Sequence, residues 1–473
     1  MKVYLDNIGI VKDSELIIDG LTVVCGANSS GKSTIGKIVY SIYNAIENLE
    51  ARNIQDKLNY GISLIKQIVH SGESQYLYRY FNKSNTNFVE KTFLRYLSAP
   101  LPSFTTLDNL ADFLLDIKNQ LLQFEDFSID KPNATEKNNE TVSALIDRLK
   151  LYVYKIDSFI SLLEIDPDMN QYTNDWIAKS IGSEMCNQVQ PVRIKDAIST
   201  IRIEDNAPEF LMVTIKDKTN YNVKCNRYLK SVFRVFLLDN ILDLDQSTSS
   251  VLERFNVTLN RSDETIPIEY YELMNSRMAL KHNNKNRIVL SSSESKSVIE
   301  ESEIGLKIKH ILEFLDDVIP GSFSSRNDGM YYTENDVDLN AQNLASGAKL
   351  MAMIKILLMR GLLDEQSMLI LDEPECHLHP EWQRRLAIII CLMIRDLSVK
   401  VLVTTHNPNF MLALDTYSLK YDIRNKTYFY LSEKIDGYLA KFNNVNDNIN
   451  QVYASLSKPF LELDVERNKL LEV

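Results

Sequence analysis

Four apolar residues, Met368-Leu369-Ile370-Leu371, run without interruption into two adjacent acids, Asp372 and Glu373. A short run with no polar alternation predicts a strand buried on both faces, as in a parallel sheet covered by helices. Carboxylates at the C-terminal end of such a strand stand where α/β sheets place their ligands. The stretch therefore directs the chain towards an α/β architecture and points to a metal-nucleotide site at that strand end.

The 473 residues leave ample material for a large core. At ~150 residues per domain they imply about three units, or one large domain carrying an insertion. A net charge of −12 makes the chain a poor candidate for bulk nucleic-acid binding, which needs a basic surface. Its cysteines, Cys25, Cys186, Cys225, Cys376 and Cys391, are scattered and odd in number, with no CxxC pair. That usage fits reduced thiols rather than a disulfide framework or a zinc ribbon. The first residues, MKVYLDNIGI, carry acid too early for a signal peptide. The longest apolar run, 386–394, falls far short of the ~20 residues of a membrane span. The expectation is a cytoplasmic protein without membrane contact.

The second informative stretch follows LTVVC, a short apolar strand. Gly26-Ala27-Asn28-Ser29-Ser30-Gly31-Lys32-Ser33-Thr34 matches GxxxxGK[ST], and a helix is predicted over residues 34–49. Gly26 and Gly31 let the backbone turn tightly, so that the N–H groups of Asn28, Ser29, Ser30 and their neighbours face phosphate oxygens. The helix N-terminus, with Thr34 in it, adds partial positive charge. Lys32 is expected to reach the β- and γ-phosphates of ATP, and the Ser33 hydroxyl to ligate Mg2+. Before this motif, KVYLDNIGIV and SELIID read as paired antiparallel strands.

The middle of the chain carries no comparable chemistry. Apolar residues at helical spacing, as in VSALIDRLKLYVYKIDSFISLLEI, predict a compact, mostly helical insertion, with a polar loop at 126–140. No sustained heptad supports a coiled-coil arm. Strand patterns return between 195 and 239. Asp243 and Asp245 form a DxD, which reads as a nuclease metal pair or as a structural loop, and Gln246 as a glutamine contacting metal and water. Arg277, Lys281, Lys285 and Arg287 form a basic run that suits phosphates or a solvated loop.

Further on, Asn343-Leu344-Ala345-Ser346-Gly347-Ala348-Lys349 opens a strongly helical segment, and a Ser-Gly pair at a helix start can hold an anion. After the acids come a helix over 381–397 and a second buried strand, VKVLVTTH, ending at His406. Cys376, His377 and His379 offer metal-ligand types, but alternation would not aim all three at one zinc ion.

GANSSGKST, NLASGAK, LILDEPECHLHPEWQ and VLVTTHNP, in this order, resemble the P-loop, signature, Walker B/D-loop and H-loop of the ABC-type ATPases, nearest the SMC-related and OLD-like branch. The wording DEPE-x-HLHPEWQ with TTHNP is similar to the PtuA-type ATPases of Septu phage-defence systems. The resemblance implies an α/β fold: an ABC-type head with a mixed parallel sheet, antiparallel N-terminal strands and a helical insertion. The expected division is 1–50 and 195–440 for the head, 51–194 for the insertion and 441–473 for a terminal helical segment. It further implies that Asp372 holds magnesium, Glu373 polarises the hydrolytic water and His406 contacts the γ-phosphate. Ser346 and Gly347 would meet the nucleotide of a second protomer, so the minimal active unit is a homodimer or higher homo-oligomer, with His377 and His379 near its interface. One departure stands out: Ala345 occupies the place where the signature usually has serine. Either Ser346 takes the place of that serine, or the γ-phosphate contact is weakened and hydrolysis is slow, with ATP acting mainly as a dimer clamp.

A transporter subunit fits poorly, because the stretch between Thr34 and Asn343 is too long and HLHPEW replaces the usual D-loop. OLD-like nucleases continue into a Toprim domain, for which this chain has no room. The implied function is an ATPase of an antiphage complex that regulates a separate nuclease or toxic effector, reaching nucleic acid through the complex. The alternatives are a DNA-repair or chromosome-maintenance ATPase that binds DNA directly, and an ATP-gated scaffold without turnover.

Overall fold

The computed structural model describes residues 1–46, 49–69, 106–127, 136–164, 168–194, 196–204, 211–217, 220–225, 234–238, 303–326, 329–340, 343–359 and 361–471. Asp243, Asp245, Gln246 and the basic residues Arg277, Lys281, Lys285 and Arg287 lie outside the described residues. The chain divides into two compact units, Met1–Glu47 with Thr173–Val473, and Asn48–Tyr172.

In chain order, β1 (Lys2–Asp6), β2 (Ser14–Ile17), β3 (Leu21–Gly26) and α1 (Lys32–Ile46) open the first unit. The second unit contains α2 (Leu49–Val69), α3 (Leu107–Phe127) and α4 (Glu136–Glu164). The chain continues through α5 (Met169–Glu184), β4 (Ser199–Glu204), β5 (Leu211–Ile215), β6 (Tyr221–Cys225) and β7 (Arg234–Leu238). Then follow α6 (Glu303–Asp316), β8 (Ser322–Arg326), β9 (Gly329–Glu334), β10 (Val337–Asn340) and α7 (Ser346–Met359). The last third holds β11 (Ser367–Asp372), α8 (Pro380–Leu397), β12 (Lys400–Thr405), α9 (Pro408–Lys420), β13 (Thr427–Ile435), β14 (Leu439–Asn444) and α10 (Asn450–Leu471).

The site is positioned by a six-stranded sheet of order β14-β13-β3-β12-β11-β7. Strand β14 is antiparallel to β13, and the other neighbours are parallel. Met368, Leu369, Ile370 and Leu371 are all fully buried, as the uninterrupted apolar run requires. Alternation divides them between two cores. Leu369 and Leu371 pack with residues of α7, α8 and α9, whereas Met368 and Ile370 pack with α1 and the antiparallel strands. Each such side chain contributes about 1.5–3 kcal/mol on burial. A polar residue at any of these positions would face one core or the other.

The second sheet is antiparallel, in the order β2-β1-β4-β5-β6. It has the alternating burial of a one-sided sheet, with Ser199, Ile201 and Ile203 inward on β4. A three-stranded sheet, β10-β9-β8, includes the hairpin that GMYY and DVDL suggest. The fold is therefore the α/β head with a mixed sheet and antiparallel N-terminal strands, carrying a helical segment.

Two expectations need correction. Residues 173–194, grouped with the insertion, belong to the first unit: Ile177, Ile181 and Val189 are buried in the core shared by α1 and the antiparallel sheet. The polar stretch 126–140 is not wholly loop, because Asp126 and Phe127 end α3 and residues 136–140 begin α4. Glu and Lys are good helix formers, so polarity alone did not mark a break there. The helical unit has its own core, in which Leu58, Ile65, Leu110, Leu114, Ile156 and Phe159 are buried.

Two helices near the site begin with the same device. His379 caps α8 by accepting from the Glu381 N–H at 3.3 Å, and Pro380 follows. Asn407 caps α9 by accepting from Asn409 and Phe410, and Pro408 follows. Proline suits the first helical position because its missing N–H would have no intrahelical partner there. Strands β13 and β14 form the hairpin that KTYFYLSEKIDGYLAKFNNV suggests, and the helix expected after it begins at Asn450, so only the division at 440–441 falls inside the hairpin. Among the described residues, no helix is long and apolar enough to cross a membrane.

Candidate nucleotide site

Strand register brings the predicted residues together. Val24 and Cys25 of β3 pair with Thr404 and Thr405 of β12, and Thr404 pairs with Asp372 of β11. Three parallel strands thus end at one level, followed by Gly26, Glu373 and His406. This is the carboxyl edge of the sheet, where α/β folds bind ligands.

Between β3 and α1 the chain makes the tight turn read from the sequence. Gly26 has φ +156°, Ser29 +57° and Gly31 +81°. A Cβ at Gly31 would also lie 2.7 Å from Val11 Cγ2, so both backbone and space demand glycine. Asn28 and Ser29 are exposed in the turn, while Ser30 is buried and its backbone carbonyl accepts from Ser432 Oγ at 2.7 Å. Ser30 Oγ itself is buried without a hydrogen-bond partner. Lys32, Ser33 and Thr34 form the first turn of α1.

Lys32 is only 3% exposed. Its ammonium donates to Ala27 O at 2.9 Å and lies 3.2 Å from Glu373 Oε1. On the other side, His406 Nδ1 lies 3.3 Å from the same oxygen. Burial alone raises Glu373, but Lys32 and His406 outweigh it and hold the carboxyl below its ordinary range. The carboxylate is therefore ionised at neutral pH. Glu373 has φ +48°, a left-handed conformation unusual for a residue with a long side chain. Its N–H is held at 3.1 Å by both the carbonyl and the hydroxyl of Thr404. That hydroxyl donates in turn to Asp372.

One functional candidate was missed. Glu375, 3% exposed, lies under the H-loop and accepts from the Thr405 hydroxyl and, at 3.2 Å, from the His406 N–H. Burial pushes its carboxyl up, against the Thr405 and His406 hydrogen bonds, and Oε2 has no partner. The sequence signal was the second glutamate of DEPE, but its contact with His406 depends on strand pairing across some thirty residues.

The signature residues are not drawn into this cluster. Ser346 and Gly347 start α7, and a Cβ at Gly347 would lie 2.9 Å from His377 O and 2.7 Å from Leu378 Cδ2. Gly347 therefore packs on the turn that follows the two acids. His379 is committed to capping α8, so it does not join Cys376 and His377 in a zinc site.

The donors suit magnesium and nucleotide. Ser33 and Asp372 offer the hard oxygen ligands that Mg2+ prefers, and the glycine cradle with buried Lys32 suits phosphate. Fold and site define the class: an ATP-binding P-loop ATPase. The AAA ATPase domain family matches residues 1–411, and the chain belongs to that family. No curated protein matches the chain. Among solved structures it is similar to an Smc head bound to the C-winged helix domain of ScpA, at 11% identity and TM-score 0.41, covering 95% of this chain and 98% of that one. An SMC head domain from Thermotoga maritima is similar at 10% identity and TM-score 0.35, covering 94% and 98%. An Smc head from Pyrococcus furiosus is similar at 11% identity and TM-score 0.39, covering 98% of each chain.

Proposed function

We propose that this chain hydrolyses ATP slowly between two copies of itself and uses that cycle to regulate a separate effector, a nuclease or other toxic protein of a bacterial antiphage system. The observation that carries the hydrolytic part is the contact series Lys32–Glu373–His406 at one sheet edge. In this reading the N–H groups of 26–34 bind the phosphates, and Lys32 leaves Glu373 for the β- and γ-phosphates. Glu373 then accepts the proton of the attacking water, and His406 orients the γ-phosphate. Ser33 and Asp372 would hold Mg2+, which supplies charge neutralisation to the phosphate oxygens.

Ser346 and Gly347 complete the site of the partner copy. The packing of Gly347 on residues 377–378 supports this, because it sets the start of the signature helix directly against the D-loop turn. The defence role rests on the DEPECHLHPEWQ and TTHNP wording. Phosphate release by the purified chain, compared with Glu373→Gln, tests the hydrolytic reading. Copurification with the product of the neighbouring gene, followed by nucleotide-dependent cleavage or toxicity, tests the effector. Absence of a complex and of both activities overturns it.

A further inference from the structure

Cys376 stands apart from the nucleotide reading, yet it sits in its centre. The turn after β11 folds back through Cys376 N–H to Glu373 O at 3.2 Å. This brings the Cys376 thiol to 3.7 Å from Glu373 Oε2, while His406 Nδ1 approaches the other carboxylate oxygen at 3.3 Å. One ligand atom from each of Glu373, Cys376 and His406 lies within 4.8 Å of the others. Cys376 and His406 thus approach opposite oxygens of one carboxylate, each at a separation in the range of roughly 3.3–3.8 Å that ligands about 2.0–2.3 Å from a tetrahedral ion take. His406 Nδ1 faces carboxylate oxygens on two sides, Glu373 Oε1 at 3.3 Å and Glu375 Oε1 at 3.9 Å. Sulfur, imidazole and carboxylate together select zinc-class ions over magnesium, which prefers oxygen alone.

We infer that Glu373, Cys376 and His406 form an inhibitory site for a thiophilic divalent cation, zinc being the type. The ion takes the carboxylate and the imidazole that the hydrolytic reading requires, and leaves a fourth position for water. Binding releases the thiol proton to solvent, as thiolate replaces thiol on the metal. The carboxylates of Glu375, Glu373 and Asp372 lie near Cys376 and favour a cation there. Lys32, 3.2 Å from Glu373 Oε1, is the competing cation. The site itself stands on geometry, and only its effect on turnover rests on the proposed function.

The test uses the full chain, stripped with chelator and free of nucleotide. Zn2+ is titrated against a chromophoric chelator, and Co2+ is added separately to read the thiolate-to-metal absorption band. The expected result is one ion per chain, with affinity lowered at least about tenfold in Cys376→Ser and in His406→Gln. The cobalt band disappears in Cys376→Ser and survives in Cys186→Ser, which removes another exposed thiol. In phosphate release at fixed Mg-ATP, Cys376→Ser keeps the basal rate and needs about tenfold more zinc for half-inhibition. Equal zinc affinity, or an intact cobalt band, in Cys376→Ser overturns the site. Equal inhibition of both proteins overturns its regulatory role. A chain that binds zinc through Cys376 but releases no phosphate leaves the site standing and removes the ATPase reading instead.

Discussion

The Lys32 ammonium and the Glu373 carboxylate lie 3.2 Å apart, so the proposed phosphate-binding cation and the proposed base neutralise one another. Neither can do its work in that state. In the proposed cycle, arriving phosphates would give Lys32 a stronger partner and return the carboxylate to water, tying base activation to nucleotide binding.

Glu373→Gln separates the two roles. The amide retains the shape and removes the proton acceptor. Nucleotide affinity should stay within about threefold of the parent, while kcat falls by about 10²–10⁴-fold, the range of general-base contributions. Isothermal titration with ATP and single-turnover phosphate release measure the two numbers.

The same carboxylate makes stability pH-dependent in a defined direction. Because Lys32 and His406 overcome the effect of burial, the folded pKa lies below the unfolded one. The contribution is therefore fully present above the unfolded value of about 4.3 and is lost as pH falls through the folded value. Thermal unfolding should show the parent gaining over Glu373→Gln near neutrality, with the gap closing in acid.

Glu375 has the opposite sign. Its carboxyl is raised by burial, so it opposes folding increasingly as pH climbs from the ordinary unfolded value through the raised folded one. Glu375→Gln retains an oxygen acceptor and removes that dependence, so its unfolding free energy should be flatter with pH. Glu375→Ala leaves the Thr405 hydroxyl and His406 N–H without their acceptor, which costs about 1–3 kcal/mol and should also lower kcat. Denaturant melts across pH, with kinetics at neutrality, distinguish the two variants.

Gly347→Ala probes the second copy. The added methyl meets the His377 carbonyl at 2.9 Å, a backbone atom that yields poorly, and overpacking of this kind costs about 1–3 kcal/mol. Binding of ATP to the P-loop should be unchanged. ATP-dependent dimerisation, read by light scattering in the Glu373→Gln background, should be lost.

Residues contiguous in the chain were the ones the sequence made legible. The glycine turn before α1, the buried strand running into Asp372 and the strand ending at His406 each carry their pattern within ten residues. Glu375 was illegible because its burial is created by β12 arriving beside β11. The closeness of Cys376 to His406 depends on the same pairing, whereas along the chain the neighbouring ligand types are His377 and His379. Residues 173–194 were assigned by helical composition, whereas what assigns them is packing of Ile177 and Ile181 onto distant strands.

Strand β3 lies between β12 and β13, both made late. Gly26 precedes Lys400 by about 374 residues (400 − 26), which at ~5–20 residues per second is roughly 20–75 s of synthesis. Throughout that interval the phosphate loop exists without the strands that flank it, and an apolar strand with two open edges invites wrong pairing. A nascent chain that has not yet made β12 therefore carries β3 with both edges open and is prone to aggregate. Synthesis of the segment that ends at His406 closes the first of those two edges, and β13 closes the second.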